Sequence, residues 1–529
     1  MLQTTTGESS HNVALENEQA TLALVIDIAA GLEPGDMVTL SGDLGAGKTT
    51  FARAMIRTLA DNPAIAVPSP TFTLMQVYEL PRFPVVHADL YRLEGPGELT
   101  ELGFDDLPKD AVVLLEWPDR AAGFLPPDRL DVALTLAPQL GPEHRNARIT
   151  GYGAFAPRLE RIAAIRRFLD ATAFAKAERR RIQGDASSRS YERLRLGERN
   201  AILMNSPRRP DGPPVRNGRP YSAIAHLAED VLPFVAMANG LRQLGFSAPK
   251  IYEAEISEGL LIIEDLGSDP VVTGNPPKPI EDRYKTAVDV LIALHSCTLS
   301  DVIPVAPNVA HRLPTYDMDA YLIEAELLLD WYLPRLGVAV PYQTRVAYVA
   351  LWRKLLEPAI ASKPTWVLRD FHSPNLIWLP SRHNTAQIGL LDFQDAVMGP
   401  AAYDLASLLQ DARVEVPELM EIALFSHYLT MRGEMDAEFD PTNFTSIYAT
   451  LAAQRASKIL GIFARLDRRD GKPQYLRHIP RIWSYLQRSL AHPSLAPLKN
   501  WYNVNVPPPR SEPENGQPVF GNNLDPVKS

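Results

Sequence analysis

A glycine-rich segment near the start of the sequence carries the most distinctive chemical pattern. GDLGAGKT at residues 42–49 fits G-x-x-x-x-G-K-[ST] and lies between an apolar segment and the helix-forming TTFARAMIRTLA. In such a loop, backbone N–H groups and the helix N-terminus bind phosphate, the lysine reaches the β- and γ-phosphates, and the hydroxyl can ligate Mg²⁺. We predict catalytic Lys48, metal-ligating Thr49 and the nucleotide-binding residues Gly42, Asp43, Leu44, Gly45, Ala46, Gly47, Lys48, Thr49 and Thr50.

Two carboxylates at predicted strand ends could complete this site. A P-loop enzyme needs an acidic residue that holds the metal ion or polarises water. Glu116 ends the apolar segment AVVLLE, and Asp89 ends FPVVHAD. We predict that Glu116 ligates Mg²⁺ and that both carboxylates are catalytic, although the position of Asp89 also fits a cap on the following turn. For His87, packing or hydrogen bonding is the favoured role, rather than that of a base.

A second polar pattern lies in WVLRDFHSPNLIWL and IGLLDFQDA. Asp370 and Asn375 are five residues apart, as in H-R-D-x-x-x-x-N, and Asp392 follows an apolar strand at the place of D-F-G. Asp370 can accept the proton of an acceptor hydroxyl, whereas Asn375 and Asp392 can hold Mg²⁺ bridging ATP phosphates. The spacing therefore predicts phosphoryl transfer. His372 could contact the acceptor or orient the loop.

Segments upstream of Asp370 could bind the nucleotide of this second site. GDASSRSYERLRL (184–196) is a candidate phosphate-covering hairpin loop, and AILM (201–204) is the next strand. LLIIEDLG (260–267) is a candidate hinge at which adenine would hydrogen-bond to the backbone. The predicted nucleotide-binding residues are Ser187, Ser188, Arg189, Glu264 and Leu266.

Length and composition indicate several folded domains. The chain has 529 residues, more than a single core usually supports, with 46% hydrophobic and 22% charged residues. The single Cys297, the absence of a signal-like N-terminus and the lack of a long apolar run favour a cytoplasmic protein without a membrane role. Residues 1–155 hold 10 basic and 21 acidic side chains, so this part would repel nucleic acid by itself.

The elements that position these residues suggest an early boundary. We predict a helix over residues 19–32, a strand before the glycine loop, a helix after it, and strands at FPVVHAD, AVVLLEW and RLDVALTLA. GPEHRNARITGYGAFAP is expected to be a linker, and the basic helical stretch after it to open the second domain. The predicted domains are 1–153 and 158–500, followed by a disordered tail at 501–529 rich in Pro and Asn.

Four ordered motifs in the N-terminal part resemble a known family. GDLGAGKTT, PSPTFTL (68–74), HADLYRL (87–93) and LLEWPD (114–119) are similar to TsaE, the small ATPase of N6-threonylcarbamoyladenosine formation on bacterial tRNA. The resemblance implies ATP hydrolysis with Mg²⁺ in a complex with TsaB- and TsaD-like proteins, with tRNA contacted only indirectly. It places Thr71 in a nucleotide-sensing loop, and it matches Trp117, for which a structural role is equally compatible.

The remaining motifs, with LIALH (291–295) and GPAAYDLASLL (399–409), resemble the aminoglycoside phosphotransferase-like fold. Within that fold they are most similar to the bacterial anomeric kinases for N-acetylmuramate and N-acetylglucosamine. One position departs from the pattern, because Met204 stands where the kinase strand usually carries a phosphate-binding lysine. Either Ser187, Ser188 or Arg189 binds phosphate instead, which we favour, or this domain is catalytically weak.

The sequence thus predicts an α/β P-loop NTPase domain followed by a two-lobed, protein-kinase-like α+β domain. The expected protein is bifunctional, joining a tRNA-modification ATPase to an ATP- and Mg²⁺-dependent amino-sugar kinase. Two alternatives stay open for the second domain. It could be a non-catalytic module that senses a nucleotide or metabolite and regulates the ATPase, or a kinase for an aminoglycoside, choline or an amino acid.

Overall fold

The computed structural model describes residues 7–93, 98, 103–121, 123–182 and 189–509. It separates into two compact units, Met1–Asn205 and Ser206–Ser529. Within the described ranges, no helix has the length and apolar character needed to cross a membrane.

Unit 1 is built on a seven-stranded mixed sheet. The strands are β1 (Glu8–Leu15), β2 (Met37–Ser41), β3 (Met75–Tyr78), β4 (Val85–Asp89), β5 (Val112–Glu116), β6 (Arg129–Leu136) and β7 (Arg145–Tyr152). Their order across the sheet is β1-β7-β6-β2-β5-β4-β3. The four strands β6, β2, β5 and β4 are parallel to one another, and β1, β3 and β7 pair antiparallel with their neighbours.

Alternating residues of the central strands bury both faces of this sheet. In β5, Val112 and Leu114 join a core formed with three helices, whereas Val113 and Leu115 join a second core on the other face. The helices are α1 (Glu18–Gly31), α2 (Lys48–Ala60) and α3 (Phe155–Asp170). The predicted first helix, the glycine-loop helix and the strands at residues 85–89, 112–116 and 129–136 are confirmed.

The predicted linker is wrong at residues 145–152, which form β7 between β1 and β6. Its alternating residues Ala147 and Ile149 are buried in the core, a pattern that the neighbouring turn formers obscured. The basic stretch after it does not open the second unit either. Its helix α3 buries Phe155 and Leu159 against the sheet of unit 1, because one face of the helix is apolar despite its many arginines.

Unit 1 ends in an antiparallel meander of three strands, β8 (Glu178–Ile182), β9 (Ser190–Leu196) and β10 (Arg199–Asn205). Arg179 of β8 is almost fully buried and binds two acidic side chains. Its Nε and Nη2 donate to Glu192 at 2.8 and 3.0 Å, and its Nη1 donates to Asp27 of α1. The compact unit therefore extends to residue 205, whereas the sequence prediction places the boundary at 153–158.

Unit 2 is mostly helical, with short antiparallel hairpins. Its strands are β11 (Pro214–Arg216), β12 (Arg219–Pro220), β13 (Ile251–Glu255), β14 (Leu260–Glu264), β15 (Val272–Thr273), β16 (Lys278–Pro279), β17 (Val302–Ala306), β18 (Val309–Arg312), β19 (Pro364–Val367), β20 (Leu376–Trp378), β21 (Ile388–Leu390) and β22 (Val397–Pro400). Its helices are α4 (Tyr221–Ile224), α5 (Leu232–Gln243), α6 (Glu281–Ser296), α7 (Met318–Ala325), α8 (Leu333–Arg335), α9 (Tyr342–Ala361), α10 (Ala402–Leu409), α11 (Glu418–Met435), α12 (Pro441–Asp470), α13 (Ile479–Leu490) and α14 (Ala496–Asn505).

The long helix α12 forms the centre of this unit. The Asp440 side chain caps its first turn, and Gly471 ends it in a left-handed conformation. Gly461 allows a π-helical turn, Leu328–Tyr332, to approach closely, because a Cβ atom at residue 461 would collide with the backbone of Leu327. This close packing fixes α12 next to the segment that follows α7.

The predicted tail begins too early, because residues 501–505 belong to helix α14. Trp501 and Tyr502 are buried there, and the Tyr502 hydroxyl lies 2.5 Å from the Ser457 hydroxyl of α12. The aromatic residues thus anchor a segment whose composition resembles that of a flexible tail. Residues 510–529 lie outside the described part.

Candidate active sites

The glycine loop has the backbone that its sequence requires. Gly42, Gly45 and Gly47 have φ values of 135°, 81° and 106°, a region that favours glycine. A Cβ atom at residue 42 would also collide with the carbonyl oxygen of Leu134. Helix α2 begins at Lys48 directly after this loop, so its N-terminal N–H groups face the phosphate-binding turn.

Lys48 is buried within the loop. Its Nζ donates to the carbonyl oxygens of Gly42 at 2.8 Å and Asp43 at 2.9 Å, and lies 3.8 Å from the ring centre of Trp117. Burial lowers the pKa of Lys48, and the charges of Glu116, Asp89 and Asp43 oppose this shift. The amine is thus a flexible cation that a phosphate could draw away from the loop carbonyls.

Glu116 joins two of the predicted residues. The Thr49 hydroxyl donates to Glu116 Oε2 at 2.9 Å, and His87 Nε2 lies 2.9 Å from Oε1. His87 and Glu116 are almost fully buried, so the histidine holds the carboxylate in place. The hydroxyl and the carboxylate supply adjacent oxygen ligands of the kind that Mg²⁺ prefers, and they fit the predicted metal site.

Asp89 lies beside Glu116, because β4 and β5 pair in parallel with these two residues in register. Its Oδ2 lies 3.4 Å from the hydroxyls of Ser69 and Thr71, and its Oδ1 accepts the backbone N–H of Tyr91 at 3.1 Å. Asp89 therefore caps the following turn and also faces the PSPTFTL segment. Thr71 is connected to the site through this carboxylate.

Two short antiparallel strand pairs build the second site. β19 pairs with β22 and β20 pairs with β21, so the loops after β19 and β21 emerge together. Asn375 Nδ2 donates to the Asp370 carbonyl oxygen at 3.0 Å, and the Asn375 carbonyl accepts the N–H of Leu391 at 2.9 Å. Asp392 follows immediately in a left-handed conformation, with φ of 57°, and its Oδ1 accepts from Gln394 Nε2 at 2.9 Å. The structure thus brings together all three predicted residues.

Buried carboxylates that the sequence analysis did not single out hold the loop that carries Asp370. Asp404 accepts the backbone N–H groups of Leu368 at 2.6 Å and Arg369 at 2.9 Å, and Asp411 accepts that of Ser373 at 2.9 Å. The motif GPAAYDLASLL contains Asp404, and a carboxylate in so apolar a helix was the available signal.

A buried ion-pair cluster supports the loop from the other side. Arg369 has a φ of 67° and pairs with Glu324, which also binds Lys458 Nζ at 2.8 Å and the Tyr316 hydroxyl at 2.5 Å. Arg369 and Glu324 are both fully enclosed. Arg369, the residue before Asp370, is therefore a structural anchor.

Charges around Asp370 keep it ionised. Burial alone would raise the pKa of Asp370, but His372, Lys458 and Arg455 together lower it below the usual value. Burial lowers the pKa of His372, whose Nε2 lies 3.8 Å from Asp370 Oδ1. Asp370 can thus accept a proton at neutral pH, as a general base requires.

The predicted nucleotide-contacting residues have mixed outcomes. Ser187 and Ser188 lie outside the described residues, and Arg189 stands half-buried just before β9. Met204 is buried in β10 opposite Tyr191. Glu264 pairs with Arg242 and Arg382, its backbone N–H donates to Lys250, and Leu266 joins an apolar cluster with Ile377 and Leu379. The adenine contact stays a prediction.

Two family models match separate parts of the chain. The model described as threonylcarbamoyl adenosine biosynthesis protein TsaE matches residues 15–145, and that of the phosphotransferase enzyme family matches residues 178–437. Both families use ATP. The predicted fold class, a P-loop region followed by a kinase-like region, is confirmed.

Individual relatives divide in the same way. An N-acetylmuramate/N-acetylglucosamine kinase of Caulobacter vibrioides is 38% identical, over 66% of this chain and 97% of its own length. The corresponding kinase of Pseudomonas aeruginosa is 33% identical, over 59% of this chain and 84% of its own length. A tRNA threonylcarbamoyladenosine biosynthesis protein TsaE of Rickettsia felis is 41% identical, over 23% of this chain and 70% of its own length. The chain therefore belongs to two enzyme families at once, TsaE in its N-terminal part and the N-acetylmuramate/N-acetylglucosamine kinases in the rest.

Proposed function

We propose that the N-terminal part hydrolyses ATP in tRNA threonylcarbamoyladenosine formation. The observation that carries this proposal is the 2.9 Å contact between Thr49 and Glu116 beside the glycine loop. These two residues would hold Mg²⁺, which would supply charge stabilisation to the phosphates. Lys48 would bind the phosphates, and Asp89 would orient the attacking water from the neighbouring strand end.

This ATPase would work through protein partners. Its sequence carries 10 basic and 21 acidic side chains in residues 1–155, so it would meet tRNA only indirectly, through TsaB- and TsaD-like proteins. The contact between Thr71 and Asp89 gives the PSPTFTL segment a means to respond to bound nucleotide. The test compares ATP hydrolysis by the full chain with and without those two proteins. The proposal requires that the two proteins stimulate ATP hydrolysis and that Lys48→Ala abolishes this stimulated hydrolysis.

We propose that the C-terminal part phosphorylates the anomeric hydroxyl of N-acetylmuramate or N-acetylglucosamine. The supporting observation is the convergence of Asp370, Asn375 and Asp392 on two adjacent loops, one between β19 and β20 and the other between β21 and β22. The hydroxyl oxygen attacks the γ-phosphorus, its proton passes to Asp370, and the bond to the β–γ bridging oxygen breaks as ADP leaves. Asn375 and Asp392 would hold Mg²⁺ on the phosphates.

Met204 is buried at the β10 position where a kinase usually carries its phosphate-binding lysine. We propose that Ser187, Ser188 and Arg189 take this role. Met204 is also the observation that favours the alternative, a module that binds nucleotide without transferring phosphate. An acceptor screen separates the two. The full chain carrying Lys48→Ala, which silences the P-loop, is given labelled ATP with amino sugars, aminoglycosides, choline and amino acids. Labelled sugar phosphate that Asp370→Asn abolishes supports the kinase, and no transfer to any acceptor supports the sensor.

A further inference from the structure

Arg455 is a buried cation without a hydrogen-bonding partner among the residues that the structure describes. It lies on α12 with 6% of its surface exposed, and neither a hydrogen bond nor an ion pair satisfies its guanidinium in that part of the chain. Burying an unpaired charge is costly, so proteins almost always pair it or use it to bind a ligand. The nearby cation of the same helix, Lys458, is by contrast paired, because its Nζ lies 2.8 Å from Glu324 Oε1.

The contacts of those neighbours locate Arg455 beside the catalytic loop. Gln454 Nε2 and Lys458 Nζ, one on each side of it along the helix, both reach Glu324, at 3.4 and 2.8 Å. Glu324 in turn binds Arg369, the residue directly before Asp370. Arg455 is also close enough to lower the pKa values of both Asp370 and His372. The free guanidinium therefore belongs to the surroundings of the catalytic base.

If Asp370 is the base of a phosphoryl transfer, the γ-phosphoryl group must approach it, and that group is an anion. Negative charge spreads over its oxygens as it passes between the leaving and attacking oxygens, and an arginine is suited to stabilise this charge. The strand cation that usually helps is absent, since Met204 occupies its place. On the basis of the proposed phosphotransfer, we propose that Arg455 binds the transferring phosphoryl group and is a catalytic residue.

The test compares two acceptors in the full chain carrying Lys48→Ala, so that P-loop hydrolysis does not interfere. Arg455→Ala is expected to lower kcat about 10²–10³-fold, equally for N-acetylmuramate and N-acetylglucosamine, with little change in sugar KM. Arg455→Lys should recover part of the loss, and millimolar guanidine or ethylguanidine should partly restore the Ala variant but not Asp370→Asn. Arg468→Ala, an exposed position on the same helix, is the matched control and should keep normal activity.

Three results would overturn the inference. Loss with N-acetylmuramate alone would show that Arg455 binds the carboxylate that distinguishes this sugar. Unchanged kcat would remove the role altogether. A lowered melting temperature with no rescue by guanidine or lysine would show a structural role. Sugar phosphorylation by the Lys48→Ala chain itself tests the proposed function separately, so the two failures are distinguishable.

Discussion

Replacement of Arg179 by methionine tests whether β8 is bound firmly to the P-loop part of unit 1. The side chains of Arg179, Asp27 and Glu192 are 4%, 6% and 7% exposed. Methionine retains most of the apolar stem but removes the cation that hydrogen-bonds both buried carboxylates. Breaking a buried pair in this way costs about 3–5 kcal/mol. For a unit of this size, that loss corresponds to a fall in Tm of roughly 6–20 °C.

The adjacent residue supplies the control. Arg180 pairs with Asp61 across the same region, but its side chain is 71% exposed and that of Asp61 is 57% exposed. Arg180→Met should therefore cost less than about 1 kcal/mol. Differential scanning calorimetry of the full chain compares the two variants with wild type. Equal, small shifts would refute the claim that the buried cluster stabilises this unit.

A pH series adds a second, independent outcome. Burial raises the pKa of Asp27 above its usual value, and Arg179 opposes this shift. Without Arg179 the pKa should rise further, so the folded variant binds a proton more readily than the unfolded chain does. Its deficit in stability relative to wild type should then shrink as pH falls from about 7 to about 5. A deficit that is constant across this range would contradict the reasoning.

Three further changes have defined outcomes. Gly42→Ala should abolish nucleotide binding to the P-loop, measured by fluorescent ATP analogue titration, because its Cβ collides with the Leu134 carbonyl. Glu116→Gln should raise the Mg²⁺ concentration required for half-maximal ATP hydrolysis, measured by Mg²⁺ titration, and should lower kcat about 10²-fold or more. Burial raises the pKa of Asp404 from 3.8 to about 7, so its contribution to stability is fully present below about pH 4 and is lost as pH rises through 7. Denaturation of wild type and Asp404→Asn across that window should show a relative loss on the order of 4 kcal/mol in the wild type.

Local patterns explain why both sites could be predicted from the sequence. Residues 42–49 fix their own loop through glycine geometry and the following helix, so neighbours along the chain suffice to define the site. Asp370 and Asn375 likewise share one short loop, and Asp392 follows the partner strand of a hairpin. The spacing of a few residues therefore carried the necessary information.

The groups that the sequence did not reveal act over long separations. Asp404 and Glu324 hold the backbone and side chain of Arg369 from 35 and 45 residues away along the chain. The proposed role of Arg455 depends on its lack of a hydrogen-bonding partner among the described residues of the folded unit. No local sequence pattern indicates this property. The linker and tail predictions failed at residues 145–152 and 501–505 for a related reason, since β7 and the apolar face of α14 find their partners only in the folded unit.

The account depends on two separate sites of phosphate chemistry in one polypeptide. The most direct measurement assays ATP hydrolysis, stimulated by the TsaB- and TsaD-like proteins, and amino-sugar phosphorylation in parallel, using wild type, Lys48→Ala and Asp370→Asn chains. Lys48→Ala should remove only the first activity and Asp370→Asn only the second. Loss of both activities from either single change would contradict the account.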